Sequence, residues 1–559
     1  MVSFSQRFLI VSGLCGLVLA RVCVAEDGGV AHSSPVRFRS DDPLWVEPHP
    51  HAISSAKVRS IDPLYDFISN SFVSQKKSDQ ARNRGVSPRQ RALNTVDEVP
   101  DSAWYTNRRG RQPISRESLL RGPGNLTSPL KGGAWRVIGA KSDGVTPGFQ
   151  IEDAHGARYL LKFDPPRYPE LASAADVIGS KAFYALGYWT PENYIVRFER
   201  RQLTADPKAT YRNASGHKQR LTDRHLDALL RGQPRDGAGT YRAMASKILP
   251  GTVLGSFRYE GTRSDDPNDL IAHEDRRDLR ALAVMAAWLN HTDAKSINTL
   301  DVLVEDDQGR FIRHYLIDFG ASLGSDSFAP KDPRLGHEYF IDVKPTLRQI
   351  STLGLYLPRW SRVRYPEQPA IGHFSSDGFE PEKWKPNYPN PAFSRLQPDD
   401  AFWAAKQIVT FSDDDIRALV STGEYSDPKV ADYVARALMA RRDAIGKAYL
   451  TRLLPLDRFE VDQEQLKFAD LAGEHNLAPS KPYDVSWALY DNQTQSATAI
   501  PGASGPALPA PVQAVAPGHY ASATLRYAQT SKAKESVATT VYLRKDQQKW
   551  TVVGVERHS

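Results

Sequence analysis

What this chain lacks narrows it first. It has two cysteines, Cys15 and Cys23, both inside an amino-terminal stretch that reads as a leader. The rest of the chain therefore carries no thiol, which excludes disulfides, thiolate metal sites and a cysteine nucleophile. A body of this length must be held by its own core. Charge of one sign is scarce too. Against 72 Lys and Arg stand 65 Asp and Glu, a formal net charge of +7, and loss of Arg7 and Arg21 with a leader lowers it by two. The cations are dispersed among acids rather than gathered on one face, so nucleic acid is not an expected partner. Beyond the amino terminus no apolar run reaches the roughly eighteen residues needed to cross a bilayer. A G-x-S-x-G elbow, an H-E-x-x-H pair and a convincing carboxylate pair are all missing, which removes the common signatures of a secreted hydrolase.

Residues 1–25 carry Arg7, an apolar stretch from Phe8 to Ala20, and Cys23-Val24-Ala25 before Glu26. That is the charged, apolar and small-residue order of a secretory signal. Arg21 interrupts the apolar run, which argues against a membrane anchor, and Arg21-Val22-Cys23 makes a poor acylation site. Cleavage after Ala25 is expected, with no transmembrane segment afterwards. Asn125, Asn213, Asn290 and Asn492 each open a glycosylation sequon. A glycan on Asn290 would sit three residues from the proposed base described next, so a bacterial periplasm or exterior is expected rather than a eukaryotic secretory route.

The most informative stretch is Asn290-His291-Thr292-Asp293-Ala294-Lys295-Ser296-Ile297-Asn298, followed by Asp318-Phe319-Gly320. Asp293 and Asn298 stand five apart, and a second acid comes after an interval long enough for a hairpin. Phosphoryl transfer asks a protein to position a hydroxyl and to hold divalent metal against phosphates, and two acids and an amide can do that. Leu279, Leu282, Ala286 and Leu289 recur at helical intervals just upstream, so a buried helix over Arg276 to Asn290 is expected to deliver the loop. Thr299 to Val304 and Phe311 to Ile317 are β-type runs around a turn at Asp306 to Gly309, a hairpin that would return Asp318 to Asn298.

In these residues the chain resembles the protein-kinase-like superfamily, whose signature is H-R-D-L-x-x-x-N followed by D-F-G. The resemblance implies Asp293 as base, Lys295 as a stabiliser of the transferring charge, and Asn298 and Asp318 as ligands of Mg2+ or Mn2+. Thr292 departs from the usual Arg, and no Ala-Pro-Glu follows Asp318, so the likeness is to divergent branches such as the HipA-type, spore-coat-type and phosphoinositide-type kinases. It covers roughly residues 131 to 455. Upstream, such a fold needs a strand lysine for the α and β phosphates and a helix carboxylate to orient it. Lys162, in the strand pattern Ala157 to Asp164, is the candidate lysine. Glu170, at the start of a helix expected to run to Leu186, is its favoured partner, with Asp176 in reserve. Strands are expected at Ala134 to Gly139, Phe149 to Glu152, Gly187 to Phe198 and Thr240 to Leu249. The loop Lys141 to Gly148 between the first two could lie over the triphosphate through Gly144 and Gly148. It has no G-x-G-x-x-G, and an ordinary hairpin turn would read the same way.

The expected class is α+β: a bilobal protein-kinase-like fold with an N-terminal extension and a small C-terminal β domain. Its divisions are a signal at 1–25, an extension at 26–130 packing on the small lobe, a small lobe at 131–255, a large lobe at 256–455 and a β-rich domain at 456–559. Helical patterns at Asp400 to Val409, Asp413 to Ser421 and Pro428 to Leu450 suit the large lobe, and Glu199 to Gly239 reads as an insertion with no assigned place. Alternating segments at Tyr520 to Gln529, Ser536 to Arg544 and Lys549 to Glu556 follow a Pro/Ala/Gly-rich loop from Ile500 to Gly518, and this last domain reads as an interaction or packing module through which a protein partner could dock. The function implied is a secreted kinase that moves the γ-phosphate of ATP to an unidentified hydroxyl acceptor. The alternative is a pseudokinase that keeps the fold and scaffolds partners. Mass analysis of exported protein is expected to find Glu26 at its amino terminus, and an intact Met1 or a lipid on Cys23 would refute the leader.

Overall fold

The computed structural model describes residues 36–39, 45–47, 49, 51–74, 91–109, 114–124, 133–140, 148–212, 217–307, 309–353, 355–528 and 537–558. The leader with its cleavage point, the sequons at Asn125 and Asn213, and Gly144 with the rest of 141–147 lie outside these residues.

A seven-stranded sheet carries the upstream part of the site. Its strands are β1 (Trp135–Ala140), β2 (Gly148–Glu152), β3 (Arg158–Lys162), β4 (Asn193–Phe198), β5 (Leu203–Arg212), β6 (Lys218–Arg220) and β7 (Tyr241–Lys247), in the order β4-β7-β3-β2-β1-β5-β6. Alternation along β3 sends Tyr159 and Leu161 into a core with Trp135, Val137, Phe149 and Ile151 and leaves Lys162 on the opposite face. The segment read as an unplaced insertion supplies β5, β6 and the helix Asp223–Arg231. β5 pairs with β1 in parallel and so widens the sheet. Its exposed, charge-bearing residues and Pro207 hide the strand from a pattern search.

The helix Leu171–Ala185 is rich in Ala, which lets neighbours approach closely. At Gly179 a Cβ would stand 2.6 Å from the Cβ of Phe319, so only glycine admits that ring. The helix Arg277–Leu289 is buried along its whole length. It packs in one core with Pro398–Val409, Asp413–Ser421 and Pro428–Leu450, all close to the spans the periodicity gives. β8 (Thr252–Gly255), β9 (Thr299–Asp306) and β10 (Gly309–Leu316) form a second sheet in the order β10-β9-β8.

Residues of the extension meet the three-stranded sheet and the helical body as well as the helix beside the small sheet. Ile53 and Arg59 donate backbone hydrogen bonds to Arg310 and Leu254 of the three-stranded sheet. Asp97 accepts from Arg277, and Glu98 accepts from Trp403 and pairs with Lys406. Nearer the expectation, Thr106 bonds Gly187 and Leu120 accepts from Lys181. The cause is polar: acids of the extension answer buried cations of the helical body, and such pairings leave no periodic trace.

The C-terminal sheet is β13 (Tyr483–Asp491), β14 (Ser496–Ser504), β15 (Tyr520–Tyr527), β16 (Ala538–Asp546) and β17 (Lys549–His558), with β11 (Leu456–Asp462) and β12 (Gln465–Asp470) as a separate hairpin. Ile500–Ser504, read as loop, belongs to β14, an exposed edge strand where Pro501 and Gly502 are tolerated. One outer face of this sheet holds the chain's own Phe38 among Tyr490, Tyr520 and Tyr542.

Arg277 is fully buried and meets Asp97 (2.5 Å), Asp399 (3.2 Å) and Asp400 (3.3 Å). Removing one partner of a buried ion network leaves uncompensated charge, at a cost of about 3–5 kcal/mol. Denaturant unfolding of Arg277→Ala is expected to show a loss of that size. A change below about 1 kcal/mol, as at a solvated pair, would contradict the buried network.

Candidate active site

Asn290 ends the Arg277–Leu289 helix in the left-handed region, φ 51°, with its N–H capping Ala286 and Ala287 carbonyls. The chain turns there, passes through Thr292 and Asp293, closes a short 3₁₀ turn at Ser296–Asn298 and enters β9. β10 returns in register, Leu316 opposite Thr299, and Ile317 N–H donates to the Asn298 carbonyl at 3.0 Å. Asp318 comes next, also left-handed at φ 60°, a conformation that non-glycine residues seldom adopt and that tends to collect at functional sites. The hairpin thus brings Asp318 to Asn298.

Lys162 is the junction. Its Nζ lies 3.1 Å from Asp176 and 2.8 Å from Asp318. Burial opposes its charge, and the two carboxylates outweigh burial, so its pKa is raised. Asp176 is itself buried, and its other oxygen accepts from Asn193 Nδ2 at 2.9 Å and from Phe319 N–H at 3.2 Å. Glu170, favoured from the sequence as the orienter, is elsewhere. It sits in a left-handed turn before the helix begins, and its carboxylate accepts the Ser426 N–H at 3.0 Å. The helix partner of Lys162 is Asp176, a turn and a half further along. Gly148 stands opposite Lys162 in the β2–β3 register.

Asp293 is held from three sides. Asn298 Nδ2 donates to its Oδ2 at 2.7 Å and to its backbone carbonyl at 2.8 Å, while Asn387 Nδ2 donates to Oδ1 at 2.9 Å. Lys295 Nζ lies 2.7 Å from the same Oδ1. With its amide nitrogen committed to Asp293, the Asn298 oxygen is turned away from that carboxylate. That oxygen and the half-exposed Asp318 carboxylate are hard donors of the kind magnesium and manganese take. Among the described residues no group of three or more His, Cys, Asp and Glu forms a metal cage. An ion held by Asn298 and Asp318 would complete its shell from phosphate oxygens and water, as magnesium does.

Other residues of the site carry no sequence signal. Lys331, buried, donates to the carbonyls of Asn290 (3.2 Å) and Ala321 (2.8 Å) and to Thr292 Oγ1 (2.6 Å), tying the Asp293 loop to the segment after Asp318. Burial pulls its pKa down to about 8. Asn390 Nδ2 donates to the Ala294 carbonyl, and Asp66 of the extension accepts from Ser296 Oγ and Tyr388 Oη. His291 packs against Phe183 and Phe319.

No family model matches the chain, and no curated protein matches it. Among solved structures it is similar to the Helicobacter pylori proinflammatory kinase CtkA, at 12% identity and a TM-score of 0.29 over 56% of this chain and 94% of that one. The Golgi casein kinase is similar at 11% identity and 0.29, over 72% of this chain and 96% of that one. The same kinase with Mn/ADP bound scores 0.27 at 11% identity, with the same coverage. Likenesses this slight leave the reading of the site to its own side chains.

Burial lowers the His291 pKa to about 4, against about 6.5 in an unfolded chain. Between those values the unfolded state binds a proton that the folded state refuses, so this contribution is fully present above about pH 6.5 and lost as pH falls towards 4. It amounts to about 3 kcal/mol. His291→Phe is expected to flatten the unfolding free energy between pH 6.5 and 4. An acid limb as steep as in the wild type would show that His291 titrates normally.

Proposed function

We propose that the protein is a nucleotide-dependent phosphotransferase that moves the γ-phosphate of ATP to a hydroxyl acceptor. One observation carries this reading: a strand lysine, a helix carboxylate and the Asp318 turn meet at one point, while the same hairpin ties Asp318 to the Asn298 that braces Asp293. Lys162 would contact the α and β phosphates, with Asp176 in place of Glu170 fixing its direction. Asn298 and Asp318 would hold magnesium or manganese, which when bound would neutralise phosphate charge.

The acceptor hydroxyl would approach Asp293. Its oxygen forms the new bond to phosphorus as the bond to the departing nucleoside diphosphate breaks, and its proton passes to the Asp293 carboxylate. Lys295, beside that carboxylate, would offset charge on the moving phosphoryl group. The leader-like residues 1–25 support a setting outside the cytoplasm, in the periplasm or exterior.

Asp293→Asn is expected to slow phosphoryl transfer by about 10²- to 10⁴-fold with nucleotide affinity little changed. Lys162→Ala should weaken nucleotide binding itself, and Asp318→Ala should remove the metal dependence of that binding. Rate and binding assays on the mature chain with ATP, with and without Mg2+, check all three. Wild-type transfer unaffected by Asp293→Asn would overturn the base assignment, and nucleotide binding without transfer to any acceptor would leave a scaffold.

A further inference from the structure

We propose that the segment following the Asp318 turn, residues 343–353 and 355–364, docks the protein on an anionic lipid surface. The helix Val343–Ser351 has no buried residue. Val343, Leu347 and Ile350 recur at i, i+4 and i+7, one face of a helix, and all three are exposed. The chain then continues through Leu353 and Leu355, exposed to 92% and 87%. Scattered apolar exposure needs no explanation, but a continuous apolar row on a helix that buries nothing marks an interaction surface.

Charge selects the occupant. From Val343 to Pro366 the sequence has no acidic residue, while Lys344, Arg348, Arg362 and Arg364 are exposed. The nearest preceding acid, Asp342, is paired with Lys385. Tyr356 and Trp360 stand between the apolar row and Arg362 in sequence, Tyr365 follows Arg364, and the Arg348 guanidinium lies over the Tyr356 ring at 3.9 Å. An apolar face, a cationic border without acids and amphipathic rings are the composition of a helix lying in a bilayer interface. No helix among the described residues is long and apolar enough to cross a membrane, so the contact is with the surface.

The segment is anchored to the site. Phe340 N–H donates to the Asn387 carbonyl at 2.7 Å, and Asn387 is the residue whose amide braces Asp293. At the other end Trp360 Nε1 donates to Glu338 at 2.8 Å. A lipid surface held here would lie close to the base, whichever acceptor that base serves.

Co-flotation of the mature protein with vesicles tests this, using phosphatidylcholine alone against phosphatidylcholine with phosphatidylglycerol. Binding is expected only to the anionic vesicles, and salt is expected to weaken it by screening. A basic residue near such a surface contributes about 1 kcal/mol, so Arg362→Gln with Arg364→Gln should lower the partition constant about 30-fold. Leu353→Glu with Leu355→Glu should abolish flotation without moving the thermal melt, because those side chains bury little. Asp293→Asn should float like the wild type, so failure of the phosphotransferase reading and failure of this one are separable. Equal binding to neutral vesicles, no flotation, or a wild-type dimer in light scattering that the leucine pair dissociates would each overturn the proposal. The last result would make the face a contact between copies.

Discussion

The arrangement of the site depends on one partly buried ammonium. Lys162 leaves the small sheet and enters a space bounded by a helix carboxylate and a turn carboxylate, 3.1 Å and 2.8 Å away. A buried cation is costly unless its partners are complete. The sheet, the Leu171–Ala185 helix and the chain after β10 are therefore bound to one relative position. Asp176 serves that position twice, since the same carboxylate that takes the lysine also takes the Phe319 N–H. The Phe319 side chain then lies where Gly179 leaves room. Charge pairing, backbone capture and close packing act on two successive residues, Asp318 and Phe319.

The Asp293 loop is fixed by a different means. Its clamps are two amides, a lysine and a carboxylate from distant segments: Asn387 on the Asp293 carboxylate, Asn390 on the Ala294 carbonyl, Lys331 on Asn290 and Thr292, and Asp66 on Ser296. Asn390, Lys331 and Asp66 partner backbone carbonyls and hydroxyls of the loop, groups that are costly to bury unpaired. The loop arrives already oriented, and pre-set geometry is what phosphoryl transfer mostly requires of a protein.

Local patterns in the sequence account for the parts that recur at short range. The helix ahead of Asn290, the hairpin behind Asn298 and the helices of the body follow from apolar periodicity, and Lys162, Asp293, Asn298 and Asp318 follow from spacing and residue type. The choice between Glu170 and Asp176 does not. It turns on where the helix begins and on its phase against β3, and Glu170 falls just outside the first turn. Lys331, Asn387 and Asp66 were out of reach for another reason: each is a lone polar residue whose partner lies tens to hundreds of positions away. β5 and β14 share a third cause, because strands with mostly exposed side chains and a proline lack the alternation by which strands are read.

The clamps on the Asp293 loop come from residues as early as Asp66 and as late as Asn390. Contacts between such remote positions form late in folding, since the entropy of closing long loops must be met before they return any energy. The stretch from Asn290 to Asp318 carries Asp293, Asn298 and Asp318 but neither Lys162 and Asp176 nor the clamps from Asp66, Lys331, Asn387 and Asn390. A chain in which those long loops have not closed carries every one of these side chains and no assembled site.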